Sequence, residues 1–183
     1  MGEIETLLQA YDQFVRLPWA GALSGPEKVW FAIYDPPQER RLRLRLPEFE
    51  VATRNAGHGW THLDLTDAFA QWMADHDYRE AYFDRPEDME PALTDFGSHV
   101  IRLLQQTLTA PAVDAGTVVA VTGVASLLGL TRASAAIEAS APAIRGRLLV
   151  FFPGRHERGN YRLLDAHDGW SYLAVPITGK QGG

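Results

Sequence analysis

Cysteine is absent from the 183 residues. Disulfides, thiolate metal sites and cysteine nucleophiles are therefore excluded, and the composition fits a reducing compartment such as the cytoplasm. No apolar run approaches the roughly 18 residues that a membrane span needs. The opening residues Met1-Gly-Glu-Ile-Glu5 are acidic and lack an apolar signal core, and Gly2 with Thr6 matches an acylation pattern only loosely. Basic residues are in deficit, 17 against 23 acidic, for a formal net charge of −6. A dedicated nucleic-acid binder normally shows the opposite balance, so no direct nucleic-acid contact is expected. Internal repeats and low-complexity tracts are missing too.

What is present is a set of short apolar runs, each stopped by turn residues. Arg147-Leu-Leu-Val-Phe-Phe-Pro-Gly154 reads as a buried strand over 147–152 that ends in a tight turn at Pro-Gly. A second strand over 28–34 stops at Asp35-Pro36-Pro37, and a third over 117–121 stops at Thr122-Gly123. Runs of this kind, separated by helical stretches, predict an α/β domain with a mostly parallel central sheet flanked by helices. The length suits one domain, here over 1–177, with 178–183 as a flexible tail.

Helical spacing of Ile4, Leu7, Leu8, Tyr11, Phe14 and Val15 predicts a helix over 3–17, ended by Pro18. Further helices are expected over 48–56, 68–74 and 86–108, and shorter ones over 125–128 and 132–139. Asp35-Pro-Pro-Gln-Glu39 reads as a helix entry with Asp35 as N-cap. Leu42, Leu44 and Leu46 alternate with arginines, which fits a strand better than a helix. Short strands are expected over 60–65, 161–165 and 171–176, the last two antiparallel across the Asp168-Gly169 turn. Residues 155–160 read as a polar turn. Charge is unevenly distributed, with acids dominating from Asp75 to Asp95 and arginines clustering over 40–45 and 145–162. Such blocks suit complementary protein contacts.

The strand ends do not carry a complete catalytic set. A phosphate-binding loop needs several backbone N–H groups and a lysine. Asp35-Pro36-Pro37 removes donors and places a negative charge there instead, and Gly179-Lys180 lies in the tail with no glycine loop before it. Nucleophilic use of Asp35 would want a second aspartate two residues on, where Pro37 stands. His58, His62, Asp64 and Asp67 crowd one segment, but no distant pair completes a ligand set. Ser126 lacks a nucleophile elbow, since position 128 is leucine. No catalytic, metal-binding or cofactor-binding residue is assigned. Two rival readings stay open: a metal-dependent hydrolase or nuclease using Asp35, Asp64 and His62, and a sensor that binds a nucleotide without hydrolysing it.

Several segments together carry a resemblance. They are Trp30-Phe-Ala-Ile-Tyr-Asp-Pro-Pro-Gln-Glu39 with Arg43, Leu63-Asp-Leu65 with Phe69, Val118-Val-Ala-Val-Thr-Gly-Val124, Leu148-Leu-Val-Phe-Phe-Pro-Gly154, and Tyr161-Arg-Leu-Leu-Asp165 with Tyr172. In this order, over about 1–177, the chain resembles the BrxB proteins of bacterial BREX (bacteriophage exclusion) defence systems. The Phe-Phe-Pro-Gly strand end, followed by a polar turn and Tyr-Arg-Leu, is the most specific part. The turn Arg155-His-Glu-Arg-Gly159 departs from the shorter turn, with a tyrosine and an aspartate, expected of the family.

The resemblance implies a non-enzymatic component without cofactor. It would work in complex with a PglZ-like phosphatase-fold protein, a BrxC-type ATPase and the PglX methyltransferase. The fold expected is a P-loop NTPase core without its phosphate-binding loop. The partner or ligand surface is expected at Asp35, Pro36, Glu39, Arg43, Thr122, Gly123, Phe152, Pro153 and Gly154, extended by Arg155, His156 and Arg158. Within it, Asp35 should cap the helix and pair with Arg43, and Phe152-Pro153-Gly154 should form a corner that aims 155–160 outward.

Overall fold

Strands whose residues are apolar at every position need cover on both faces, and the chain supplies it with amphipathic helices. A computed structural model describes residues 1–77, 79–166 and 169–180. In order the elements are α1 (Glu3–Val15), β1 (Val29–Tyr34), α2 (Glu39–Asn55), β2 (Gly59–Asp64), α3 (Ala68–Ala74), α4 (Arg79–Asp84), α5 (Met89–Leu108), β3 (Thr117–Thr122), α6 (Ala133–Ser140), β4 (Arg147–Glu157), β5 (Asn160–Leu163), β6 (Trp170–Ser171) and β7 (Val175–Thr178). The main sheet has the order β2-β3-β4-β1-β7, and every neighbouring pair in it is parallel. The expected single α/β domain with a mostly parallel sheet is therefore present. Among the described residues no helix is long and apolar enough to cross a membrane.

Alternation along the strands divides the core in two. Leu149 and Phe151 of β4, with Trp30 and Ala32 of β1, face a layer formed by α1 and α2. Leu148, Val150 and Phe152 face the other way, toward α3, α5 and α6. The helices present matching stripes: Ile4, Leu7, Tyr11 and Val15 on α1, and Ala92, Phe96, Val100, Leu104 and Leu108 on α5. Both stripes have the spacing of one buried helix face.

The stretch 40–46 is helical, not a strand. Leu42, Phe49, Ala52 and Thr53 are buried on one side of α2, while Leu44 is 72% exposed. The alternation of leucine and arginine has period two only by coincidence. The arginines have partners that need the helix: Arg41 Nε donates to Glu5 Oε1 at 2.8 Å and Arg45 pairs with the same oxygen at 3.1 Å. Led by the Arg41 hydrogen bond, these contacts hold the Glu5 carboxyl down at about 2. Pro47 sits inside α2, where it removes one helical hydrogen bond without ending the helix.

The strand at 147 does not stop at Pro-Gly. β4 runs eleven residues, and its pairing changes hand on the way. Up to Pro153 it is parallel to β1, with Tyr34 opposite Pro153. From Gly154 it is antiparallel to β5, with Gly154 opposite Leu163 and Glu157 opposite Asn160. Proline lacks a donor and suits the point where one ladder ends. The expected polar turn 155–160 is thus mostly ladder, closed by Arg158 (φ 51°) and Gly159 (φ 81°). Two successive positive φ values are those of a tight two-residue hairpin turn.

The expected strand over 171–176 is split. β6 pairs antiparallel with β5, while β7 crosses back to lie parallel to β1. Of the expected turn, Asp168 lies outside the described residues. Of the expected tail over 178–183, Thr178 closes β7 opposite Ile33 and Lys180 pairs with Asp35; residues 181–183 lie outside the described residues.

Candidate functional site at the carboxyl edge of the sheet

Parallel strands bring all their carboxyl ends to one edge, which is where open α/β sheets place their ligands. Here β1 delivers Tyr34 and Asp35, β2 delivers Asp64, β3 delivers Thr122, and β7 delivers Lys180. The chain enters α2 through a short 3-10 turn, Pro36–Gln38. Asp35 precedes this turn, but its side chain makes no cap. Its carboxylate instead accepts from Lys180 Nζ at 2.9 Å, and its backbone N–H donates to Glu3 Oε1 at 2.7 Å. The expected Asp35–Arg43 pair is therefore replaced by an Asp35–Lys180 pair. The hydrogen bond to Asp35 raises the Lys180 pKa, and Arg155 is close enough to oppose it.

Arg43 is the hub of a second network. Its Nε donates to Glu39 Oε1 at 2.9 Å, Nη1 to Asp64 Oδ2 at 3.0 Å and Nη2 to Thr66 Oγ1 at 2.7 Å. Glu39 also accepts the Tyr34 hydroxyl proton through Oε2. The Tyr34 phenol is pushed well above its usual range, first by burial and then by this carboxylate. Asp64 Oδ1 accepts from the Thr66 backbone N–H at 3.0 Å and from its hydroxyl at 2.6 Å. Partial burial pushes the Asp64 carboxyl up, but the Arg43 and Thr66 hydrogen bonds together hold it well below the usual carboxylate range.

Gly123 closes in beneath this turn at φ 80°. A Cβ there would stand 2.5 Å from the Thr66 nitrogen and 2.7 Å from Asp64 Oδ1, so only glycine fits. Thr122, itself buried, meets His62 Nε2 at 2.8 Å through its hydroxyl. Desolvation of the ring lowers the His62 pKa.

The edge thus gathers Asp35, Pro36, Glu39, Arg43, Thr122 and Gly123 as the sequence suggests, and adds Glu3, Asp64, Thr66 and Lys180. Phe152, Pro153 and Gly154 are buried; they do not turn a corner but carry β4 onward. Arg155 and Arg158 are exposed on the hairpin, and the His156 ring packs on Tyr161 at 4.5 Å between centroids.

The histidine and carboxylate cluster of the sequence does not assemble. His58 lies at the opposite end of β2, stacked on Trp19 at 3.6 Å. Trp19 in turn lies under the guanidinium of Arg147 at 4.8 Å. Asp35 and Asp64 follow strands three places apart in the sheet, roughly 14 Å at ordinary strand spacing. They do not converge: Asp64 pairs with Arg43, and Asp35 with Lys180. Among the described residues no three of His, Asp and Glu come together to hold a metal ion. Asp35, Glu39 and Asp64 are bound in ion pairs, and Glu3 accepts the Asp35 backbone N–H.

Arg43→Gln tests that arrangement. Without the guanidinium the Asp64 carboxyl should titrate higher, toward the ordinary value near about 3.9. A depressed carboxyl stabilises the fold above its unfolded pKa and loses that contribution as pH falls below it. The variant should therefore lose stability at neutral pH and show a shallower decline below about pH 4. Carboxyl-carbon NMR checks the assignment; an Asp64 titration that does not move means that the Arg43 pair is absent in solution.

No protein-family model matches this chain, and neither a curated protein nor a solved structure matches it.

Proposed function

We propose that this chain is a non-catalytic adaptor or assembly subunit of a bacterial BREX phage-defence system, acting in the cytoplasm. Its first partner is the PglZ-like phosphatase-fold protein, with the BrxC-type ATPase and the PglX methyltransferase as further companions. The resemblance over 1–177 supports this reading. The observation that carries it is the state of the strand-end groups: Asp35, Glu39 and Asp64 are each engaged by a cation of the same chain. Such a network holds a surface in shape, and a carboxylate held in an ion pair is poorly suited to take up a proton near neutral pH, which supports a non-catalytic role. We also infer a P-loop NTPase core that lacks its phosphate loop. In support, the interior strand β1 runs into a helix through Asp35-Pro36-Pro37-Gln38, where a glycine loop would otherwise cradle phosphate.

Two exposed surfaces offer charge to partners. The β4–β5 hairpin carries Arg155, Arg158 and Arg162, and the segment from Asp75 to Asp95 carries acids around Phe83, which is 70% exposed. Reversing Arg155 and Arg158 to glutamate should change stability by no more than about 0.5 kcal/mol, as is usual for exposed positions. It should weaken capture of the PglZ-like protein and make the remaining affinity less salt-sensitive. Affinity purification from the native host with mass spectrometry reads out both partner identity and loss. Recovery of no BREX protein by the unaltered chain would overturn the reading, as would ATP turnover that disappears in Asp35→Ala or Asp64→Ala.

A further inference from the structure

A groove of about 1020 Å³ opens between α6, the loop that precedes it and the β5–β6 pair. It lies outside the Arg43 network, against Phe152 of β4 and the loop at 128–132, and its volume is at the upper end of the range for small-molecule sites. Leu128 and Leu130, from the loop around Gly129, line it together with Trp170 and with Tyr161, which is otherwise buried. Leu128 is 47% exposed, an apolar side chain only half covered by its own chain.

Two charged residues line the same space. Arg132 is exposed, caps nothing, and makes no ion pair among the described residues. Glu138 accepts the Trp170 indole N–H through Oε1 at 2.6 Å, which positions the indole; its second carboxylate oxygen makes no hydrogen bond among the described residues. The two residues are six positions apart at and along α6, so they are separated by about 9 Å of helix rise. The groove therefore offers an apolar, aromatic middle with a cation at one end and a carboxylate acceptor at the other.

We infer that this groove binds a small ligand of nucleotide type, a planar ring with hydrogen-bond donors at one end and an anionic group at the other. The ring lies between Leu128, Leu130 and the Trp170 indole. Its donor edge meets Glu138, and its phosphate meets Arg132. Nothing in this assignment depends on a partner protein, so it stands or falls separately from the adaptor reading.

The test is calorimetric titration of the full chain with AMP, GMP, adenosine and inorganic phosphate, followed by tryptophan fluorescence. A nucleoside monophosphate should bind and alter the emission, and adenosine and phosphate should each bind much more weakly. Arg132→Gln should weaken the nucleotide about tenfold or more, the scale of one charged hydrogen bond, and leave adenosine unchanged. Glu138→Gln should weaken both. Trp170→Phe should remove the emission change. Arg132 and Glu138 are exposed, so their variants should keep the melting temperature of the parent. No binding of AMP or GMP at millimolar concentration would overturn the inference. Binding that is indifferent to Arg132→Gln and Glu138→Gln, or equal for AMP and adenosine, would overturn it as well.

Discussion

Replacing Phe151 with alanine is expected to cost about 3–5 kcal/mol, the range for removing a fully buried ring. Phe151 has no exposed surface. It lies on β4, with β3 on one side and β1 on the other. Its ring meets Phe49 of α2 edge-on at 5.0 Å, and Phe49 meets Tyr11 of α1 at 5.4 Å. Tyr11 is tied to Thr53 of α2 through its hydroxyl at 2.5 Å. The truncation therefore opens a void where one strand and two helices meet, and partial collapse would disturb all three. For a chain of this size the loss corresponds to a fall in melting temperature of roughly 6–15 °C. Calorimetry and urea unfolding read it directly. A change of less than a few degrees would place this strand at the periphery and contradict the layer order described above.

Gly154→Ala is expected to cost about 3 kcal/mol, at the upper end for overpacking, with the damage confined first to the hairpin. A Cβ at this position would fall 2.0 Å from the Arg162 carbonyl oxygen and 2.9 Å from a ring carbon of Phe152. The oxygen is backbone and belongs to the facing strand, so no rotamer change relieves the clash; β5 has to move away from β4. β6 is held only through β5 in the sheet, by Tyr161 opposite Trp170. Amide exchange should therefore rise across β5 and β6 before the parallel sheet is affected. Trp170 should become more solvent-exposed, and nucleotide binding in the groove should fall with it. Unaltered exchange protection at Tyr161 and Arg162 would show that the β4–β5 ladder does not form in solution.

The class of fold was legible in the residues because central strands of a parallel sheet are covered on both faces. Val29–Tyr34 and Thr117–Thr122 are buried at every position, and that condition writes itself as an unbroken apolar run. The helices α1, α3 and α5 were legible for the related reason that one buried face repeats every three to four residues. From this also followed the edge at which to look for a site, since parallel strands all end on one side.

Local pattern failed where it satisfied two periods or where a partner lies far along the chain. Leu42, Leu44 and Leu46 fit a strand on paper; burial of Leu42 and exposure of Leu44 became decided only when α2 packed on α1 and the sheet. Pro153-Gly154 looks like a stop, yet Gly154 permits close approach of β5, so the strand continues with a new neighbour. Asp35 has the spacing of a cap, but its counter-ion is Lys180, 145 residues away. The groove joins Leu128 and Arg132 to Trp170, with no sequence signal beyond the break at Gly129. The sequence by itself determined the parallel α/β layering, because burial on one or two faces imposes a period on the residues. Only the tertiary structure decided which charges pair and which surfaces enclose a space, because these depend on distances between segments that the chain order does not encode.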